Sequence, residues 1–316
     1  MEATIASVRA HLAAWLLRTF VKPHSRRPLD IGRLRAKSGW LETAAPPGTS
    51  VRRARVGNVS GEWLEPADTS ATLLYLHGGA YVLGSPASHR VLAGAFCRLG
   101  FRVFLPDYRL APEHPFPAAL DDAEAVYRGL VGEGVDPRSL VVAGESAGGG
   151  LALSLLVRLR DSGGPLPPAA ALFSPWTDLA ISGTSIETNN RSEGMFFNTN
   201  LRPMAELYLG GADPRTPLAS PLYADLHGLP PLLVHVGERE LLLDDAVRLV
   251  ERAREAGVEV AFKRWPVVPH GWQLLQRVVP EAAQSVAEAA AFLHTRIAAE
   301  ARTQSRPEPV HAFAEA

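Results

Sequence analysis

The sequence predicts an α/β fold in which a central, mostly parallel sheet carries helices on both faces. Three observations predict it. Short β-rich runs alternate with longer helical stretches through most of the chain. One of those strands passes into a helix through Gly144-x-Ser146-x-Gly148, and another ends in His77-Gly78-Gly79.

Taken in order, residues 4–20 are apolar but interrupted by Arg9, His11 and Arg18. The uncharged stretch between His11 and Arg18 is too short for a bilayer, which takes about 20 residues. Ile5, Val8, Leu12, Trp15 and Leu16 recur at helical spacing, which predicts an amphipathic helix lying on a groove. Glu2 spoils a basic leader and no small-x-small cleavage site follows, so a cytoplasmic protein without stable membrane insertion is expected, with a peripheral membrane anchor as the lesser alternative. After a Pro46-Pro47 joint, residues 51–67 flank Gly57-Asn58 as an antiparallel hairpin would. Strands are then predicted at 72–77, 101–106, 139–143, 170–173, 232–236 and 259–265. Helices are predicted at 88–99, 117–131, 147–160, 243–256 and 281–299. Such a sheet puts its chemistry at the carboxyl ends of the strands.

The segment 181–212 breaks this rhythm. It mixes Ser, Thr, Asn and Gly with Met195, Phe196, Phe197, Leu207 and Tyr208, and long apolar excursions of this kind are often lids. The tail from 303 to 316, with Pro307 and Pro309, is expected to fray.

Composition narrows the function classes. Of 316 residues, 47% are apolar and 21% charged, an ordinary globular balance. The formal net charge is −1 with both signs interspersed, which leaves no electrostatic footprint for nucleic acid. Cys97 is the single cysteine; its helical setting marks a buried structural thiol rather than a nucleophile.

Ser146 follows the apolar run Val-Val-Ala and opens an apolar helix. A serine on so sharp a turn needs a strained backbone, and the flanking glycines let neighbouring backbone pass. The turn lifts the hydroxyl above the sheet at the positive end of a helix. A phosphate-binding turn is the competing reading, but no Lys follows the glycines. Opposite it, Gly78 and Gly79 would aim backbone N–H donors at a developing oxyanion, with the N–H of Ala147 as a third. His77 is expected to hold that loop rather than act as a base.

A serine hydroxyl needs a general base near neutral pH. His270, in Val-Val-Pro-His-Gly-Trp, falls between the last predicted strand and the last helix. His294 lies in a helical run and His311 in the tail. The orienting acid is more open. Glu238, Glu240, Asp244 and Asp245 all follow the strand ending at Val236. The two aspartates precede a helix whose N-terminus acids favour, and Glu240 has the longer arm.

These motifs, together with the run from Asp107 to Ala119 (DYRLAPEHPFPAA), resemble the bacterial hormone-sensitive-lipase-like (family IV) esterases from about residue 70 to 300. The resemblance implies an α/β-hydrolase fold with a mostly parallel eight-stranded sheet and a helical cap. Residues 1–45 would form the N-terminal cap segment and 46–302 the catalytic core, with 181–212 as the inserted cap segment. The chain departs from the family at Ala80, where a third glycine is usual. Aligning Glu240-Leu-Leu-Leu-Asp244 on the family's acid motif puts Glu240 at the acid position, with Asp244 as the fallback. In the 107–119 run, Asp107, Tyr108, Arg109 and Glu113 are expected to form a buried polar network, since buried charges need partners.

The function implied is a serine carboxylesterase that cleaves short- to medium-chain acyl esters through an acyl-enzyme, without metal or organic cofactor. Lactonase or deacetylase activity on the same triad is the alternative. A non-catalytic receptor of the same fold is disfavoured by His270. The substrate-binding candidates are Tyr81, Val82, Phe196, Phe197 and Trp272, with Trp15 and Leu16 of the N-terminal helix beside them. The expected partner is a small-molecule ester; relatives often dimerise, so a homodimer is one expectation.

Overall fold

The computed structural model describes residues 6–26, 30–38, 47–66, 69 and 71–304. Eight strands form one sheet: β1 (Ser50–Val56), β2 (Val59–Glu65), β3 (Thr72–Leu76), β4 (Arg102–Pro106), β5 (Leu140–Glu145), β6 (Ala170–Phe173), β7 (Leu232–Gly237) and β8 (Val260–Trp265). Their order is β1-β2-β4-β3-β5-β6-β7-β8. The β1–β2 hairpin is antiparallel and joins β4 antiparallel; β3 to β8 run parallel.

The two-residue period of the strands builds two cores. Leu74, Leu76, Val142, Leu172 and Val234 face one layer, and Leu73, Tyr75, Val141, Phe173 and Leu233 face the other. The α-helices of the described residues are α1 (Val8–Leu16), α2 (Ile31–Ser38), α3 (Pro86–Arg98), α4 (Ala118–Gly132), α5 (Ala147–Asp161), α6 (Ser185–Thr188), α7 (Leu201–Leu209), α8 (Leu243–Glu255) and α9 (Pro280–Gln304). Helices α4, α5 and α8 cover the first face through Leu120, Leu155 and Leu249. Helices α3 and α9 cover the second through Phe96 and Leu293. Cys97 is buried there, and burial pushes its thiol up to about 12, so it is an inert core group.

Where the structure departs from expectation, packing explains it. Strand β5 runs on to Glu145, so it ends directly against the serine. The first helix lies the other way round from the amphipathic prediction. It docks by small residues, with Ala10 buried and Ala6 and Ala13 beside it against Trp265, Val268, Trp272 and Val279. Val8, Leu12, Trp15 and Leu16 are exposed. Only alanines let the helix approach that close to two tryptophans. Ile5 and residues 27–29 and 39–45 of the expected N-terminal segment, and 305–316 of the expected tail, lie outside the described residues.

The 107–119 run also differs. Of Asp107, Tyr108, Arg109 and Glu113 only Tyr108 is buried, its hydroxyl donating to the His77 carbonyl at 2.6 Å. Arg109 pairs with Asp122 at a half-exposed position. The exposed Glu113 pairs with Arg35 of α2, which also donates to the carbonyls of Val82 and Ala111. Arg109 and Glu113 tie layers together from outside, where their desolvation costs least. Among the described residues no helix is long and apolar enough to cross a membrane.

Candidate active site

Strand β5 and helix α5 meet at Ser146, whose backbone sits at φ 56°, ψ −123°. That conformation costs a non-glycine residue about 1–3 kcal/mol and must be held by its surroundings. The Ser146 N–H donates to the Phe173 carbonyl at 2.8 Å, and its own carbonyl accepts from Trp176 at 2.9 Å. Glycine is required two residues away: a Cβ on Gly148 would lie 2.0 Å from the Leu76 carbonyl oxygen. The turn exists because two backbones touch there.

The loop after β8 carries His270 to the same edge of the sheet. Its Nε2 lies 2.9 Å from the Ser146 Oγ, and its Nδ1 lies 2.6 Å from Oε2 of Glu240. With Nδ1–H donating to the carboxylate, Nε2 is left to accept from the serine hydroxyl. Glu240 is fully buried. Its other oxygen accepts the Ser174 hydroxyl at 2.7 Å and the Gly237 N–H at 2.7 Å, so the carboxylate is held from three sides. Burial opposes a charge on His270, but Glu240, with Glu193 and Glu145 further off, holds its pKa above the usual imidazole value.

The other acid candidates fall elsewhere. Asp244 accepts from the Thr184 hydroxyl and the Ser185 N–H, capping the inserted segment. Buried Asp245 accepts from the N–H groups of Thr177 and Asp178; burial beside Asp178 pushes its carboxyl up to about 7. Exposed Glu238 lies 3.9 Å from Arg264.

The expected oxyanion donors need one correction. The Gly78 N–H points away from any oxyanion, because it donates to Oε1 of Glu145. That carboxylate also takes the Tyr75 hydroxyl at 2.5 Å and Nε2 of His89 at 2.7 Å. Burial opposes its ionisation, but His89 and these donors hold it below the usual range. His77 stacks between His89 and Tyr108, neutral because burial pushes it down to about 4. The next two residues, Gly79 and Ala80, both have positive φ, 118° and 55°. Their N–H groups have no hydrogen-bond acceptor among the described residues, nor does that of Ala147 at the start of α5.

The substrate-wall candidates divide. Phe196 packs edge-on against the His270 ring at 5.2 Å. Phe197 is instead sandwiched by cations, with Lys22 and Arg26 at 4.6 Å and 4.7 Å from its ring. Tyr81, Val82 and Trp272 are corrected to core: each is fully buried, Tyr81 face-on to Tyr208 at 3.7 Å and Trp272 beside Trp265. Aromatic rings that follow a site motif in sequence, as Tyr81 follows Gly79 and Trp272 follows His270, fill the space under the site as readily as the space above it. Trp15 and Leu16 are exposed to solvent.

Two contributors escaped sequence reasoning. Ser174 directly follows β6, the strand next to the elbow, and the rule that chemistry gathers just beyond strand ends points to it. Glu193 has no such signal. It is buried in the inserted segment, accepts from the N–H groups of Gly194 and Met195 at 2.7 Å and 2.8 Å, and reaches the N–H of Leu241 at 3.3 Å. It thereby ties the inserted segment to the loop that holds Glu240. Among the described residues no group of three or more His, Cys, Asp or Glu side chains is arranged to hold a metal.

Comparison with known proteins bears on the same region. A family model described as the alpha/beta hydrolase fold matches residues 73–274. An acetyl-hydrolase of Streptomyces hygroscopicus is 47% identical over 270 residues, covering 85% of this chain and 89% of its own. An esterase of Acinetobacter venetianus is 38% identical, covering 78% and 82%. Among solved structures, an esterase from the bacterial hormone-sensitive lipase family superposes with a TM-score of 0.87 at 40% identity, over 93% of this chain and 100% of that one. The crystal structure of EstE5 superposes with a TM-score of 0.90 at 36% identity over the same shares.

Proposed function

This chain belongs to the hormone-sensitive-lipase-like esterases of the α/β-hydrolase fold, and from that premise we propose that Ser146, His270 and Glu240 are its catalytic triad. The protein is a serine-type carboxylic ester hydrolase working through an acyl-enzyme. What supports the residue assignment is one continuous chain of hydrogen bonds, from the Ser146 hydroxyl through both nitrogens of His270 to buried Glu240.

In the first step Ser146 Oγ attacks the ester carbonyl carbon as its proton passes to Nε2 of His270. The tetrahedral oxyanion is received by the N–H groups of Gly79, Ala80 and Ala147, which we assign in place of the expected set containing Gly78. Collapse breaks the carbon–oxygen bond of the leaving alkoxide, which takes the proton from His270 and departs as alcohol. Water then attacks the acyl-serine, giving a proton to His270, which returns it to Ser146 as the acid leaves. Glu240 keeps the ring in the tautomer that leaves Nε2 unprotonated and balances its positive charge between steps.

We further assign the N-terminal helices and the segment 181–212 a shared capping role. The support is their mutual contact: the Lys22 ammonium donates to the carbonyls of Asn190 and Glu193, and the Asn200 amide donates to the Ser25 carbonyl at 2.9 Å. Phe196, brought by that segment onto the His270 ring, narrows the acyl side and favours short to medium chains over long ones.

The test is hydrolysis of p-nitrophenyl esters from acetate to long-chain acids. Turnover should peak among the short chains, and Ser146→Ala should lower kcat by about a millionfold. Undiminished hydrolysis by Ser146→Ala would refute the nucleophile. Faster turnover of a lactone or an N-acetyl amide than of every linear ester would move the specialism to those substrates.

A further inference from the structure

The face that α1 turns outward is apolar where a solvated helix should be polar. Val8 is 83% exposed, Leu12 52%, Trp15 48% and Leu16 41%, and Phe20 and Val21 in the following turns are 57% and 41% exposed. At about 100° per residue the four helical positions share one stripe roughly 100° wide, opposite the buried Ala10. The Trp15 and Phe20 rings meet edge-to-face at 5.7 Å, so they form one patch. Single exposed apolar residues need no explanation, but a contiguous patch of this kind marks a contact surface.

The charge around the patch says what it contacts. Residues 3–29 contain no Asp or Glu, whereas the chain as a whole carries a formal charge of −1, and Arg9, Arg18 and Arg26 are exposed there. Arg9 and Arg18 are exposed beside the apolar stripe, and neither forms an ion pair among the described residues. A second copy of the chain meeting this face through a two-fold axis would set arginines against arginines. A surface that is apolar within and anionic at its rim has no such conflict.

We propose that this face of α1 docks on an anionic lipid surface. The aromatic and aliphatic side chains enter the boundary between headgroups and acyl chains, and the arginines meet the headgroup phosphates. The placement relates the surface to the site. A Cβ on Gly194 would lie 3.6 Å from Cβ of Leu17 at the end of this helix and 3.2 Å from Cβ of Pro269, the neighbour of His270. Docking therefore puts this helix between the lipid surface and the loop that carries His270.

The experiment is co-sedimentation of the full chain with phosphatidylcholine vesicles with or without roughly 30% phosphatidylglycerol. The expected result is binding that needs the anionic lipid and weakens with salt. Replacing both Val8 and Leu12 with Glu should weaken it about tenfold or more. Both side chains face solvent, so this variant should keep its melting temperature and its turnover of a soluble short-chain ester. Ser146→Ala should bind vesicles like the parent, which separates failure of this proposal from failure of the catalytic reading. Absence of binding to either vesicle, or binding indifferent to Val8→Glu/Leu12→Glu, would overturn the proposal. So would a dimer in sedimentation velocity that the same double variant dissociates, since a second copy would then be the occupant.

Discussion

The carboxylate of Glu145 accepts the backbone N–H of Gly78, so the residue just before the elbow serine anchors the loop that faces it. The proposed nucleophile and oxyanion loop are thereby fixed to one another through a buried charge rather than through each strand separately. His89 and Tyr75 complete the anchor from α3 and β3.

Removing that anchor should cost both stability and rate. Glu145→Ala leaves the buried His89 ring and the Gly78 N–H without their acceptor, a loss of about 3–5 kcal/mol. Urea unfolding should show it. Turnover in the folded fraction should fall by roughly ten- to a hundredfold as the loop loosens. Glu145→Gln, which can still accept from Gly78, should fall between this variant and the parent.

Acid-side activity should follow the charges around His270. The proposed base must be neutral, so activity should fall as pH drops through its raised pKa. Glu240→Gln removes the main charge raising it and should move the acid limb of kcat/KM to lower pH. Turnover should drop by about 10⁴ as the tautomer is lost. Glu193→Gln should move the limb in the same direction by less, with turnover within about tenfold. A limb moving to higher pH in either variant would contradict the electrostatic account.

Asp244→Asn separates the two acid candidates. Its carboxylate serves Thr184 and Ser185, so the variant should keep turnover within a few-fold. It should lose about 1 kcal/mol of stability by chemical denaturation. Abolished turnover would shift the acid role to Asp244.

Ala80→Gly should be accepted. Ala80 lies at φ 55°, where an alanine is disfavoured by roughly 1–2 kcal/mol, and the oxyanion role proposed for it uses only the backbone. A melting temperature equal to or above the parent, with kcat retained, is the expected outcome. A hundredfold loss of kcat would argue against this loop geometry.

His235 should make the fold acid-sensitive. Burial, with Lys263 nearby, pushes its pKa down to about 3. Below its unfolded value near 6.5 the unfolded chain binds a proton that the folded chain refuses, so this stability is lost as pH falls. Between pH 7 and 5 the effect is about 2 kcal/mol. Unfolding free energies of the parent and His235→Gln should converge by that amount over this range.

Much of the fold was legible because its signals are local. Strand runs such as 170–173 alternate between two buried faces, and the Gly144-Ser146-Gly148 spacing permits a turn that other residues would block. The order of elements likewise brings His270 and Glu240 to the edge where Ser146 stands. Legibility ended where a side chain's partner is far away in sequence. Gly78 reads as a donor to substrate until Glu145, 67 residues on, is seen to occupy it. Tyr81 and Trp272 read as pocket walls until Tyr208 and Trp265 cover them. Glu193 reads as an ordinary charge until it reaches Leu241.

By itself the sequence determined the strand and helix periods, the elbow, and the chemical types needed for ester cleavage, because each depends on residues within a few positions of one another. Only the tertiary structure decided which carboxylate meets His270, which N–H groups are left open to an oxyanion, and which face of the first helix looks outward. Those depend on burial and on contacts across the sheet. A backbone N–H has one proton to give, and the folded neighbourhood settles where it goes.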